Sequence, residues 1–241
     1  MRNLSLIFCF IFLQVTVTAQ KKFVVDADAI LRTVNEKYDA IKVSGGIDLY
    51  LSQADDMAVA VSASTKAVRN NIKTSVENGL LHIYYDGDNF LNNKNKKLRA
   101  YVSFDEIKKI EAIGACDVFV VDSLLANNLT LHLSGASEFK GIVKVTGLNV
   151  ILSGASDVYI TGTAGTVNIE SSGASDVHGY GLVTDYCNTK ASGASDIQIT
   201  VNKEINAKAS GASNIFYKGD ALLKQNESSN ASTIEKRKGK K

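Results

Sequence analysis

The 241-residue sequence carries 27 Lys and Arg against 25 Asp and Glu, 3 Cys and no Pro. So even a charge balance excludes the basic footprint of a nucleic-acid binder, and so few cysteines exclude a disulfide scaffold. No linker rich in Pro, Gly or Ser divides the chain, and one elongated domain is expected.

The chain opens with a short charged region at Arg2, the apolar run "LSLIFCFIFLQV" and the small-residue stretch "VTA" ending at Ala19. This pattern reads as a secretory signal peptide over residues 1–19 and predicts export to the periplasm, the cell surface or the medium. Cys9 lies inside the apolar run and not after it, which argues against a lipoprotein. No later segment is apolar enough to span a bilayer as a helix, so no transmembrane span is expected after cleavage.

From residue 20 the first half is irregular. "AIKVSGGIDLYLSQ", "MAVAVSA", "GLLHIYY" and "LRAYVSFDEIKKIEAIG" all alternate apolar and polar residues as half-buried strands do. They read as early coils of a repeat with longer excursions, including a polar loop around "DGDNFLNNKNKK".

From Gly114 onward the sequence repeats. "SGASD" stands at Ser153–Asp157, Ser172–Asp176 and Ser192–Asp196, with near copies "GACDV" at Gly114, "SGASEF" at Ser134 and "SGASNI" at Ser210. Their glycines are 21, 19, 19, 20 and 18 residues apart, a period that marks a solenoid. Six, four and two residues before each glycine from Gly135 on stand apolar or small residues, such as Leu129, Leu131 and Leu133, then Leu148, Val150 and Leu152. Four after it stand Val118, Phe139, Val158, Val177, Ile197 and Ile215. Each copy is therefore strand, corner, strand, with glycine supplying the positive φ of the bend and Ser and Asp bonding locally to the backbone. A second corner is expected at Gly162, Gly181 and Gly219. The fold class that follows is all-β, a right-handed single-stranded β-helix with coils of about 19 residues, whose core narrows along Leu133, Leu152, Ser171, Ala191 and Ala209.

The β-helix is expected to span residues 20–222. Residues 223–241, "LKQNESSNASTIEKRKGKK", are polar and end in five bases, and read as a disordered basic tail. Removing Arg2 and those five bases leaves 21 basic residues of the 27 against 25 acidic ones, a mildly acidic body. Cys116 and Cys187 lie 71 residues apart, too many coils for a disulfide, with Cys187 inward and Cys116 at a corner.

"DAIKVSGGIDLYLSQ", "LRAYVSFDEIKKIEAIGACDV" and the "SGASD" series, in that order, resemble the auto-transporter adhesin head (GIN) domain family over roughly Tyr38 to Gly219. The resemblance implies a right-handed β-helix similar to that of pectin lyases, in exported proteins of Bacteroidetes, and an adhesive role.

The rows offer several candidate chemistries. Asp117, Glu138, Asp157, Asp176, Asp196 and Asn214 recur at one place in successive coils. They read first as turn formers, with calcium between coils as the alternative, and no metal ligand is assigned. His82, His132 and His178 do not converge in the repeat register, so no catalytic residue and no cofactor is assigned. Binding is the better expectation. Outward positions five before the glycines are Thr130, Asn149, Asn168, Asn188 and Asn206, and those one before are serines. Phe119, Tyr159, His178 and Phe216 stand five after. The candidate binding face is therefore Asn149, Asn168, Asn188, Asn206, Phe119, Tyr159 and Phe216, for a glycan or a surface protein. The expected function is a non-enzymatic adhesin or cell-envelope scaffold. A polysaccharide-active β-helix enzyme and a periplasmic partner-binding module are the alternatives.

Overall fold

The computed structural model describes residues 25–87 and 96–238. The expected signal peptide and most of the polar loop after Tyr85 lie outside the described residues. Among those described, all the strands belong to one 16-stranded sheet that coils into a parallel β-helix of about seven turns.

The regular part is built from β9 (Asp117–Gly135), β10 (Glu138–Leu152), β11 (Asp157–Ser171), β12 (Asp176–Ala191) and β13 (Asp196–Ala209). Each pairs in parallel with the next, so residues one repeat apart stack directly: Leu129 on Leu148 on Val167 on Cys187 on Ile205. That row is buried throughout, as is the row Val118, Phe139, Val158, Val177, Ile197 and Ile215. The inward residues Leu133, Leu152, Ser171, Ala191 and Ala209 are buried and narrow the core as expected. A third inward row, Val145, Ala164, Thr184 and Val201, closes the circuit. Burying these rows on all sides is the main favourable term of the fold.

The corner explains the repeated pentapeptide. Gly173 has φ +83°, and a Cβ there would lie 3.0 Å from the Gly154 nitrogen and closer still to its carbonyl oxygen. That same oxygen accepts the Ala174 N–H at 2.7 Å. The second serine of each copy points inward, where it is buried. Ser156 Oγ donates to Ser153 O at 3.1 Å, and Ser156 N–H donates to Ser175 Oγ of the next coil at 3.2 Å. Ser137, Ser195 and Ser213 likewise donate to the carbonyl three residues back, and Cys116 takes the serine's place, its Sγ on Ile113 O at 3.5 Å. A buried hydroxyl is tolerated because it is satisfied. The expected second corner holds at Gly162 and Gly219, both with positive φ. Gly181 does not share it: the register slips after Tyr159, Gly181 stacks on Thr161, and Leu182 covers Gly162.

The first half departs from simple succession. β2 (Ala40–Ser44) and β3 (Asp48–Gln53) form a coil around the corner Gly45–Gly46. The chain then leaves through β4 (Ala58–Ser62), the short helix α1 (Lys66–Asn70) and β5 (Ile72–Glu77). It returns as β6 (Leu80–Tyr85) and β7 (Arg99–Phe104), which pair with β2 and β3 on their outer side. β8 (Lys109–Gly114) takes the inner side of β2, and β9 the inner side of β3. The second coil in sequence is thus the outermost in space. Antiparallel β5 on β6, β4 on β7 and β1 (Ile30–Arg32) on β4 then cover that end. A solenoid must close its terminal edge in some such way or invite edge-to-edge pairing.

The expected disordered tail is a correction. β14 (Asn214–Lys218) is followed by β15 (Leu222–Ser228) and β16 (Thr233–Lys236), which pair in parallel with β13 and β14. "SNASTI" at Ser229–Ile234 is a further copy of the corner, with Asn230 at φ +60° in the glycine's place. Asparagine is among the few side chains that adopt this conformation readily. Ser232 Oγ donates to Ser229 O at 2.7 Å, repeating the inward serine bond. Composition misled here because the narrowed core needs only Leu223 and Ile234 as partly buried apolar residues.

Two outcomes follow. Gly173→Val should lower stability by about 2–5 kcal/mol, from the left-handed backbone and the overpacked corner, whereas Ser172→Ala should cost about 0.5–1.5 kcal/mol for one hydroxyl bond. Denaturant melts of both variants compare them directly, and equal midpoints would mean the corner tolerates a side chain. Cys116 and Cys187 are both free and buried, and burial pushes the Cys187 thiol up to about 12. Thiol titration should find neither reactive in the native protein and both reactive on unfolding, with no reducible crosslink.

Candidate functional site

Because coils stack in register, each outward position becomes a column along the axis. On the strand before the corner, Asn149, Asn168, Asn188 and Asn206 stack in order. Asn188 Nδ2 donates to Asn168 Oδ1, and Asn206 Nδ2 to Asn188 Oδ1, both at 2.9 Å. The amides therefore bind one another, which is the structural use of such a column, and Asn149, although in register, is outside that bonded run. A shallow groove of about 430 Å³ runs beside them, bordered by Lys208 and Gln225.

On the strand after the corner a second column is chemically richer. Tyr101, Tyr50, Phe119, Lys140, Tyr159 and His178 follow one another across five successive pairings. Tyr101 and Tyr50 stack at 5.3 Å between ring centroids, Tyr50 and Phe119 at 5.1 Å, and Tyr159 and His178 at 4.4 Å. Lys140 bridges the gap, its ammonium 6.0 Å from the Phe119 ring and 5.0 Å from that of Tyr159. The Lys140 ammonium also bonds the Glu138 carboxylate. A shallow groove of about 400 Å³ opens along Phe119, Lys140, Tyr159 and His178. It is flanked by Ile142, 45% exposed, an apolar side chain left to solvent.

The row Phe119, Tyr159, His178 and Phe216, expected five residues after the glycines, shares one column, but Lys140, which joins Phe119 to Tyr159, was not counted in it. Phe216 shares the column yet is set apart from the stack by Gln198, and Arg237 lies over its ring at 4.3 Å. Tyr50 and Tyr101 were missed because they belong to coils stacked out of sequence order. Tyr50 had a signal, standing five residues after Gly45 as Phe119 stands five after Gly114.

The acidic column lies beside the aromatic one. Asp117, Glu138, Asp157, Asp176, Asp196 and Asn214 stack in that order, with Asp48 beside Asp117 at the N-terminal end. Burial, then the neighbouring carboxylate, raises both Asp48 and Asp117 above the ordinary range. Towards the C-terminus the strain is relieved by hydrogen bonds: Asp196 N–H donates to Asp176 Oδ1 at 3.0 Å and Asn214 Nδ2 to Asp196 Oδ1 at 2.8 Å.

A parallel β-helix that presents side-chain columns to solvent is the class this geometry defines. The family profile described as "Putative auto-transporter adhesin, head GIN domain" matches residues 37–221, and the chain belongs to that family. No curated protein sequence matches it. A solved "putative adhesin" of Bacteroides fragilis is similar with a TM-score of 0.81 and 21% identity, covering 88% of this chain and 98% of its own. One from Parabacteroides distasonis has a TM-score of 0.70 and 20% identity, covering 87% and 96%. A "putative lipid binding protein" from the same species reaches 0.62 at 18% identity, covering 89% and 98%. At such identities the likeness is one of fold. Among the described residues, no helix is long and apolar enough to cross a membrane.

The raised Asp117 carboxyl gives a pH test with a definite sign. In the folded state it binds a proton more readily than in the unfolded chain, so its contribution to stability falls as pH rises through that interval. Asp117→Asn should therefore raise the melting temperature at pH 7, and the gain should vanish near pH 3, about where aspartate protonates in the unfolded chain too.

Proposed function

We propose that the protein is an exported, non-enzymatic binding module that holds a glycan against the aromatic column. The observation that carries this reading is the run Tyr50, Phe119, Lys140, Tyr159 and His178, stacked ring over ring or ring under cation beside an open groove. The ring faces are taken up within the stack, and the ring edges, with Ile142 beside them, offer an apolar surface to the C–H groups of a sugar, while a lysine and an imidazole supply hydrogen-bond donors at the same spacing. The column is rigid, since each ring is fixed by a strand pairing on both sides, and a pre-ordered surface loses little entropy on binding. Membership of an adhesin-head family supports a surface role, and export is consistent with the signal-like residues 1–19. The asparagine column is the weaker candidate because its amides are engaged with each other.

The test is binding of the mature protein to a glycan panel and to bacterial and host cell surfaces. A double variant Phe119→Ala with Tyr159→Ala should weaken attachment roughly tenfold or more, for the loss of two stacking rings. Lysine at all four of Asn149, Asn168, Asn188 and Asn206 should leave it nearly intact, with circular dichroism showing each variant folded. Loss of binding in the asparagine variant alone would move the site to the other face, and no binding by wild type to any surface would remove the adhesive reading.

A further inference from the structure

The geometry points to a binding site for a divalent transition-metal ion, of the zinc type, made by Asp157, Asp176 and His178. One donor atom from each of the three lies within 4.8 Å of the others. The arrangement comes straight from the register. Asp157 and Asp176 are partners in adjacent coils, and His178 is two residues beyond Asp176, on the same outward face of the strand. Among the described residues this is where the acidic column acquires an imidazole.

Two features separate this step of the column from its neighbours. On the N-terminal side the same square is closed by Lys140, whose ammonium is bonded to Glu138, so a cation of the protein's own already stands there. On the C-terminal side Asp196 is held by the Asn214 amide and the neighbouring outward residue is Gln198, which brings no imidazole. Between them, Asp176 Oδ1 is fixed by the Asp196 N–H, which orients the carboxylate and leaves its second oxygen for an ion. The Asp157 carboxylate accepts no hydrogen bond from any described side chain. His178 is held by its stack on Tyr159 at 15° between ring planes, an arrangement that leaves the in-plane nitrogens clear of the partner ring.

The donor set decides the class of ion. Calcium takes six to eight oxygen ligands and magnesium keeps an all-oxygen shell, whereas an imidazole with two carboxylates suits zinc and its neighbours. Three protein donors leave a coordination position for water or for an oxygen of a molecule lying in the adjacent groove. The inference stands on its own geometry and does not require that a glycan binds.

The experiment is calorimetric titration of the untagged full chain with zinc chloride and, separately, calcium chloride. One zinc ion per chain is expected, with calcium binding much weaker. His178→Phe keeps a ring on Tyr159 but removes both nitrogens, and Asp157→Asn keeps the shape but removes a charge. Loss of a second-shell partner already weakens metal sites about 10–100-fold, so loss of either ligand should raise Kd by roughly that or more. Glu170→Gln, on the asparagine face, should leave it unchanged. Absence of saturable zinc binding, zinc binding indifferent to both ligand variants, or calcium bound as tightly as zinc would each overturn the site. Melting curves of the variants in the absence of metal establish that all remain folded.

Discussion

From Gly135 to Gly211, each corner of this protein rests on the one beneath through a contact that only glycine permits. At the corner, the α-carbon of one glycine sits over the backbone of the glycine a repeat earlier: a Cβ on Gly154, Gly193 or Gly211 would meet the carbonyl oxygen below at 2.5–2.6 Å. The next residue's N–H then reaches that oxygen at 2.7 Å, as Ala155 does to Gly135 and Ala194 to Gly173. Close approach and hydrogen bond require each other, because the amide can reach the carbonyl only if nothing stands on the glycine. The inward serine adds a second tie at the same level, satisfying a buried hydroxyl and a buried N–H together. Small residues thus recur because the bend brings the backbone of successive coils into contact and leaves no space for larger ones.

Once the corners are in register, the residues that flank them directly are in register too, and slips such as that after Tyr159 fall between corners. The strand spacing of about 4.8 Å then acts as a fixed ruler, and any residue type repeated at one offset becomes a column. The consequence differs by chemistry. Apolar columns gain from stacking, and amides bond along the axis. Rings of the aromatic column stack at 4.4–5.3 Å. Carboxylates alone lose, since like charges at that spacing repel by about 1 kcal/mol per pair even in water. The acidic column is tolerable because its members are interrupted: Glu138 is paired with Lys140, and Asp176 and Asp196 accept protein donors.

The regular half of the fold was legible because a period near 19 residues, with strand alternation on both sides of a glycine, admits few other readings. The corner glycines, the buried rows and the narrowing core could be counted off the chain. Four things could not. The order in which β2, β6 and β8 stack depends on which edge a returning strand finds, and alternation is the same for each. Tyr50 and Tyr101 therefore join the aromatic column without any sequence offset that links the two. The last coil was hidden by its own composition, since a corner with Asn230 for glycine and a core reduced to Leu223 and Ile234 looks like a polar tail. At the candidate site, Lys140 was passed over because it is not aromatic, although as a cation between two rings it continues the stack. The nearness of His178 to Asp157 is a diagonal across two coils, visible only once their register is known.

The division of labour between offsets bears on what such a protein can become. Inward residues and the corner are constrained on every side, so they carry stability and can change little. Outward residues three and five after the corner touch mainly their counterparts above and below and one another, as Lys140 does Glu138, and the strands need no particular side chain there: the same place holds Asp, Glu or Asn at one offset and Tyr, Phe, Lys, His or Gln at the other. Sequence can therefore drift there at small cost, and adjacent drifts combine. A histidine two residues after an aspartate is unremarkable in one coil, but beside a second aspartate stacked on the first it becomes a three-donor cluster. A solenoid in this way makes sites by juxtaposing single substitutions from neighbouring turns, and no turn needs to contain a motif of its own.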